Sequence, residues 1–219
     1  MSDIAAAAAS AIPPAAAPSL IAGPRPVPLR GSRVARALLG LFGWRVAGAG
    51  LPALQGVVMV YPHTSNWDFV VAILAKWAFG IPVRFWAKDS LFRAPLFGAW
   101  VRWIGGVAVD RGSRNGIVAD TAQALEDARA RGEFFWLAVA PEGTRKRTEG
   151  WRSGAYQVAR QARVPVGLAT LDFGRKCVDF TRFVAISGDA DADFALFARE
   201  LADCRGKRPA DASPVRLRA

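Results

Sequence analysis

The chain has 219 residues, 52% of them hydrophobic, with eight Trp and a formal net charge of +11. That length suits one domain with a sizeable core, and the charge points to an anionic partner: nucleic acid, phospholipid headgroups or an acidic carrier protein. Two Cys without a CxxC spacing, beside a single His, argue against a disulfide framework and against a zinc site. Both thiols therefore read as reduced and structural.

Residues 1–31 are rich in Ala and Pro and carry no periodic apolar face, which predicts disorder and no secretory signal. Residues 32–46, SRVARALLGLFGWRV, interleave Arg with Leu, Phe and Trp at helical spacing. Such a helix either lies in a membrane interface or packs on the domain surface, and the segment alone does not choose. GVVMVY (56–61) reads as a buried strand, followed by a helix over 66–79 with Ser65 as N-cap and Asp68 in its first turn. VRFWAK (83–88) is a second strand. A Pro-interrupted helix follows at 91–105, then a short strand at 106–110 and a helix at 116–131. EFFWLAVA (133–140) is a strong strand, 153–163 a helix, 165–172 a strand, and 176–186 an edge strand. A last helix over 192–206 precedes a loose tail. The expected division is therefore 1–31 disordered, 32–207 one folded domain and 208–219 a flexible tail.

Strands alternating with helices predict an α/β fold: a central, largely parallel mixed sheet flanked by helices, with an N-terminal amphipathic helical segment. No apolar run reaches the roughly 20 residues a spanning helix needs. ALLGLFGW (37–44) is bracketed by Arg36 and Arg45, and FVVAILAKWAFG (69–80) is interrupted by Lys76. The Trp-rich stretches 75–79, 83–86 and 97–105 read mainly as core, with an apolar groove or membrane-facing rim as the other use.

Chemistry-bearing residues gather after predicted strands, where α/β sheets place their sites. His63 is the one imidazole, at the exit of the 56–61 strand, with Asp68 five positions on. An imidazole is the side chain best suited to general base work at neutral pH, and a carboxylate at its other nitrogen fixes the tautomer. The competing reading is a helix-capping His with Asp68 stabilising the helix N-terminus. Pro141-Glu-Gly-Thr-Arg145 offers a turn with a guanidinium, against the simpler reading of an internal Glu–Arg pair. Asp110-Arg111 offers a second guanidinium, or a solvated salt bridge.

Together these segments resemble the lysophospholipid acyltransferase family. His63-Thr-Ser-Asn-Trp-Asp68 matches its His-x4-Asp motif; Gly105-Gly-Val-Ala-Val-Asp-Arg111 is similar to the second motif, Pro141-Glu-Gly-Thr-Arg145 to the third and Val164-Pro165-Val166 to the fourth. The order and rough spacing also fit, over about residues 55–185. Departures occur at Ala140, where Phe is common, at Lys146, where Ser is common, and at Gly167-Leu168 after the fourth motif. These leave the catalytic pair intact and bear on the acceptor.

The resemblance implies a glycerol-3-phosphate acyltransferase-like fold. It implies an O-acyltransferase carrying a fatty acyl group from acyl-CoA or acyl-carrier protein to a lysophospholipid hydroxyl, with 1-acyl-sn-glycerol-3-phosphate as the default acceptor. His63 would be the base and Asp68 its orienting acid. Arg111, Glu142, Gly143, Thr144, Arg145 and Pro165 would bind substrate. No metal or cofactor is expected beyond the thioester co-substrate. The expected setting is the cytoplasmic face of the cell membrane, as a peripheral protein on an anionic surface, with no nucleic acid. Two rivals stand beside it: acylation of a non-glycerol acceptor such as an amino-acid lipid or glycolipid, and a basic nucleic-acid- or lipid-binding protein without catalysis.

Overall fold

A computed structural model describes residues 17–48, 50–109 and 114–218. At the centre lies β5 (Gln55–Tyr61), whose run of Val and Met is buried along nearly its whole length. It pairs in parallel with β9 (Val166–Asp172) on one side and with β8 (Phe135–Val139) on the other. A strand buried on both faces is expected to be continuously apolar rather than alternating, and these three are apolar apart from Gln55, Thr170 and Asp172. Beyond β8 come β6 (Arg84–Lys88) and β7 (Gly106–Val109), both parallel. Beyond β9 comes β10 (Cys177–Ala185), antiparallel. The sheet is thus mixed and mostly parallel, as the alternating pattern predicts.

The strand over 177–185 is not an edge. Its outer side is covered in two halves, by β1 (Ser19–Leu20), antiparallel, and by β3 (Arg45–Ala47), parallel. β2 (Val27–Pro28) pairs separately with β4 (Gly50–Leu51). Part of the segment expected to be disordered is therefore paired: Ser19 and Leu20 lie against Ala185 and Val184, and Ile21 N donates to Phe183 O at 2.7 Å. Main-chain pairing on a waiting strand edge needs no apolar periodicity, so composition gave no sign of it.

Helices cover both faces. On one, α1 (Arg33–Leu41) packs against α2 (Trp67–Phe79), and α2 closes over Val58, Trp136 and Phe180. On the other, α4 (Arg114–Ala130), α5 (Gly154–Ala162) and α6 (Ala190–Leu201) bury Leu125, Tyr156 and Phe197. α3 (Pro95–Trp103) begins on Pro95, whose missing N–H costs nothing in a first turn. The buried Asp193 carboxylate accepts from Tyr156 Oη at 2.7 Å and from Ser187 N and Gly188 N, which fixes α6 to α5. That acid is structural. No described helix is long and apolar enough to cross a membrane.

The tail departs further from expectation. Pro209–Asp211 forms a 3-10 turn, Ser213 is buried, and Leu217 bridges to Trp151. Trp151 N donates to Arg216 O at 2.7 Å and Arg218 N to Trp151 O at 2.9 Å. The approach is tight enough that a Cβ on Gly150 would sit 2.6 Å from Arg216 O.

β5 carries the turn that holds His63, and its start is set by one close contact. A Cβ on Gly56 would meet the Trp136 ring at 2.4 Å. The indole cannot retreat, because Trp136 Nε1 donates to Ala53 O at 3.1 Å and the ring is fully buried. Gly56→Ala is therefore expected to overpack this contact and lower unfolding free energy by about 1–3 kcal/mol. Urea denaturation should show a reduced midpoint at an unchanged m-value.

Candidate active site

The turn after β5 folds back on itself. Asp68, in the first turn of α2, is 1% exposed. Its Oδ2 accepts from Thr64 N at 2.6 Å and from Ser65 N at 2.7 Å. The same oxygen lies 3.3 Å from His63 Nδ1. Oδ1 is buried and has no hydrogen-bond donor among the described residues. The N-cap is Asn66 rather than Ser65, without a side-chain cap bond of its own. Ser65 Oγ instead accepts from Trp67 N at 3.2 Å, so the serine still satisfies an orphan helix N–H from one position out.

His63 is gripped a second time, through its main chain. Its backbone N–H donates to Glu142 Oε2 in a very short contact, and Glu142 Oε1 accepts from Ser213 N at 2.8 Å. Glu142 is 2% exposed. Burial raises its carboxyl above the ordinary value, and the two backbone donors pull against that rise. Glu142 therefore ties the first motif, the third motif and the C-terminal tail together. Its role here is to position, since its oxygens are occupied by main-chain donors.

The side chain of His63 is 23% exposed and faces a cavity of about 1140 Å³. With Nδ1 turned to Asp68, Nε2 is the nitrogen available to a hydroxyl in that space. The cavity forms where the sheet splits. β6 and β8 pair only at Arg84↔Leu137 and Phe85↔Ala138, and beyond that point Trp86 and Val139 both line the opening. One branch runs beneath α2, past Ala72, Ala75 and Phe79 to Phe180, and is apolar. Lys76 borders it; its Nζ donates to Ile104 O, and desolvation lowers its pKa. The other end is polar, with Gly143, Arg152, Ser153, Gln157 and Arg218.

The expected site residues divide. His63, Asp68, Glu142 and Gly143 come together. Asp110 and Arg111 lie outside the described residues. Thr144 and Arg145 follow in the same loop but are not among the cavity-lining residues, and Arg145 is exposed. Pro165 stands apart. It precedes β9, and its carbonyl accepts from Val57 N at 3.0 Å, at the opposite end of β5 from His63. Six residues of strand separate the two levels, roughly 20 Å at about 3.3 Å per residue. In a parallel sheet a motif that enters a strand cannot share an edge with motifs that leave one, so Pro165 serves the base of the sheet.

Arg152, Ser213 and Arg218 were not singled out from the sequence. The helix was read from residue 153 and the tail as loose; the Gly143–Arg152 contact and the tail's main-chain bonds leave no spacing signature. Burial pushes the Cys204 thiol up to about 12. Its Sγ donates to Tyr61 O at 3.8 Å.

The acyltransferase family model matches residues 45–167, more than half of the chain. The chain belongs to the acyltransferase family. It is also similar to the crystal structure of the 1-acyl-sn-glycerophosphate (LPA) acyltransferase, PlsC, from Thermotoga maritima. That match has 18% identity and a TM-score of 0.47, and covers 79% of this chain and 78% of that one. No curated protein sequence matches. The matched region of this acyltransferase contains both His63 and Glu142, while the tail that meets Glu142 lies beyond it.

Glu142→Gln sets an amide nitrogen against one of two main-chain N–H donors. The variant should lose about 1–3 kcal/mol of stability, with faster hydrogen exchange at Ser213. The pH dependence has a defined sign. The folded carboxyl holds its proton to higher pH than the unfolded one, so its contribution to stability falls as pH rises from about 4.5 toward the raised value. In thermal melts across that window, the Gln variant should show a flatter profile than the parent.

Proposed function

We propose that this acyltransferase moves a fatty acyl group from a thioester, acyl-CoA or acyl-carrier protein, to the hydroxyl of a lysophospholipid, with 1-acyl-sn-glycerol-3-phosphate as first candidate. The observation that carries the reading is the His63–Asp68 pair at 3.3 Å, facing a cavity with one apolar and one polar end. Such a cavity suits an amphiphile: tail beneath α2, headgroup at the arginine end, hydroxyl between them at His63.

In this mechanism His63 Nε2 takes the proton from the acceptor hydroxyl as its oxygen attacks the thioester carbonyl carbon. Asp68, held by two backbone N–H groups, keeps Nδ1 in the protonated tautomer and stabilises the imidazolium. The tetrahedral intermediate collapses with cleavage of the carbon–sulfur bond, and the thiolate recovers the proton from the imidazolium. The ester forms without an acyl-enzyme. Protein groups and the thioester co-substrate supply all of this chemistry.

The surroundings support action at the cytoplasmic face of a membrane. α3 turns Leu96 and Trp103 outward, 89% and 74% exposed, with Phe97 and Trp100 beside them. Phe97, Trp100 and Trp103 were expected mainly as core. α1 exposes Val34, Leu38 and Leu41 among arginines, and Phe42 is exposed at its C-cap. Trp103 meets Trp77 of α2 at 6.0 Å, and α1 packs on the same helix. Apolar side chains interleaved with arginines favour an anionic lipid surface over nucleic acid.

Three measurements bear on this reading. His63→Ala should reduce thioester consumption about 100-fold or more while thermal unfolding changes little, and Asp68→Asn should lose a comparable factor through the wrong tautomer. Parental activity in either variant overturns the assignment. Mass analysis of products from a panel of glycerol, amino-acid and sugar lipid acceptors identifies the acceptor class. Leu96→Glu combined with Trp103→Glu should weaken binding to anionic liposomes about tenfold or more, with turnover of a short-chain soluble thioester unchanged.

A further inference from the structure

The polar end of the cavity is built by two segments that the family motifs do not include. Arg152 follows the third-motif loop, and Arg218 comes from the C-terminal tail; both line the cavity that contains His63. Their adjacency is set by register. Leu217 bridges to Trp151 in parallel, with Trp151 N bonded to Arg216 O and Arg218 N to Trp151 O. The next residue on each segment is an arginine, so two guanidinium-bearing residues stand side by side.

Neither segment is loosely held. Gly150 admits the tail at close range, and Ser213 N anchors it to Glu142. Arg152 lies across the bare face of Gly143, where an added Cβ would meet Arg152 Nε at 2.6 Å. Gly143 also has a φ of +69°, so that glycine serves both the turn and the guanidinium above it. Arg218 makes no ion pair among the described residues. Ser153 and Gly154, at the start of the nine-residue α5, line the same wall and add the positive end of a helix dipole. Adjacent cations on two exposed residues at the cavity wall favour a dianion that accepts from both forks.

We infer that Arg152 and Arg218 form a phosphate-binding subsite in the wall of the catalytic cavity. It rests on the acyl-transfer reading only for the source of the phosphate, which is either the phosphomonoester headgroup of the acceptor or the phosphates of a coenzyme A thioester. The subsite sets specificity by holding one substrate while the hydroxyl meets His63. The tail then belongs to the substrate pocket.

The test uses the full chain and the variants Arg152→Gln, Arg218→Gln and their double, with Arg218→Lys as the charge-conserving control. Calorimetric titration of sn-glycerol 3-phosphate and of coenzyme A reads binding without turnover. Steady-state kinetics compares phosphate-bearing substrates with a monoacylglycerol and an acyl-pantetheine that lack the phosphates. Each Gln variant should raise KM for the phosphate-bearing partner about tenfold or more, with kcat within about twofold. The phosphate-free partner should be unaffected and Arg218→Lys should recover part of the loss. A rise confined to the lipid identifies the headgroup, and a rise confined to the thioester identifies the donor; both uphold the subsite. Unchanged KM and unchanged probe binding overturn it, as does an equal loss with phosphate-free substrates. If the parent protein binds a phosphate probe through both arginines yet consumes no thioester, the subsite stands and the acyl-transfer reading falls.

Discussion

Everything at this site depends on one residue being held from two directions. His63 is fixed at its ring by Asp68 and at its main chain by Glu142, and both carboxylates are buried. Each acid would be costly to bury alone; each is compensated by backbone N–H donors that have no other use at a strand exit. Asp68 gathers donors from within the turn. Glu142 gathers them from β5's exit and from the far end of the chain. The imidazole thereby inherits a fixed direction toward the cavity, and the geometry survives in a site that is open on one side.

The split in the sheet is what gives that direction a purpose. β5 and β9 pair over five residues, and so do β5 and β8, whereas β8 and β6 share only two pairs. A continuous sheet would have filled the space beneath α2 with strand side chains. Parting the strands after Phe85 instead leaves a passage between the His63 turn and the apolar underside of α2. The aromatic residues near that passage are displaced outward: Phe69 meets both Phe85 and Trp100, and Trp77 meets Trp103.

Much of this was legible in the residues. The buried strands announced themselves as short apolar runs, and the pairing of His63 with Asp68 followed from a strand exit and one helical turn. Pro165 was misplaced because a motif was located by its neighbours in sequence, while the sheet sorts residues by which end of a strand they touch. Ser19, Leu20 and Ser213 were missed for another reason. Ser19 and Leu20 pair through the main chain, and Ser213 reaches Glu142 through its backbone N–H, each with a partner more than 70 residues away; no side-chain pattern encodes such bonds. The outward aromatics of α3 were misread because Trp and Phe at helical spacing look the same whether they meet core or solvent. Asp110 and Arg111 lie outside the described residues.

The solitary imidazole has a practical corollary. With one histidine in 219 residues, every proton resonance, carbethoxylation event or isotope label assigned to that ring type reports on the His63–Asp68 turn and on nothing else. Occupancy of the cavity, release of the tail and displacement of either carboxylate would all register on a single probe that nature has already installed, without the need to engineer one.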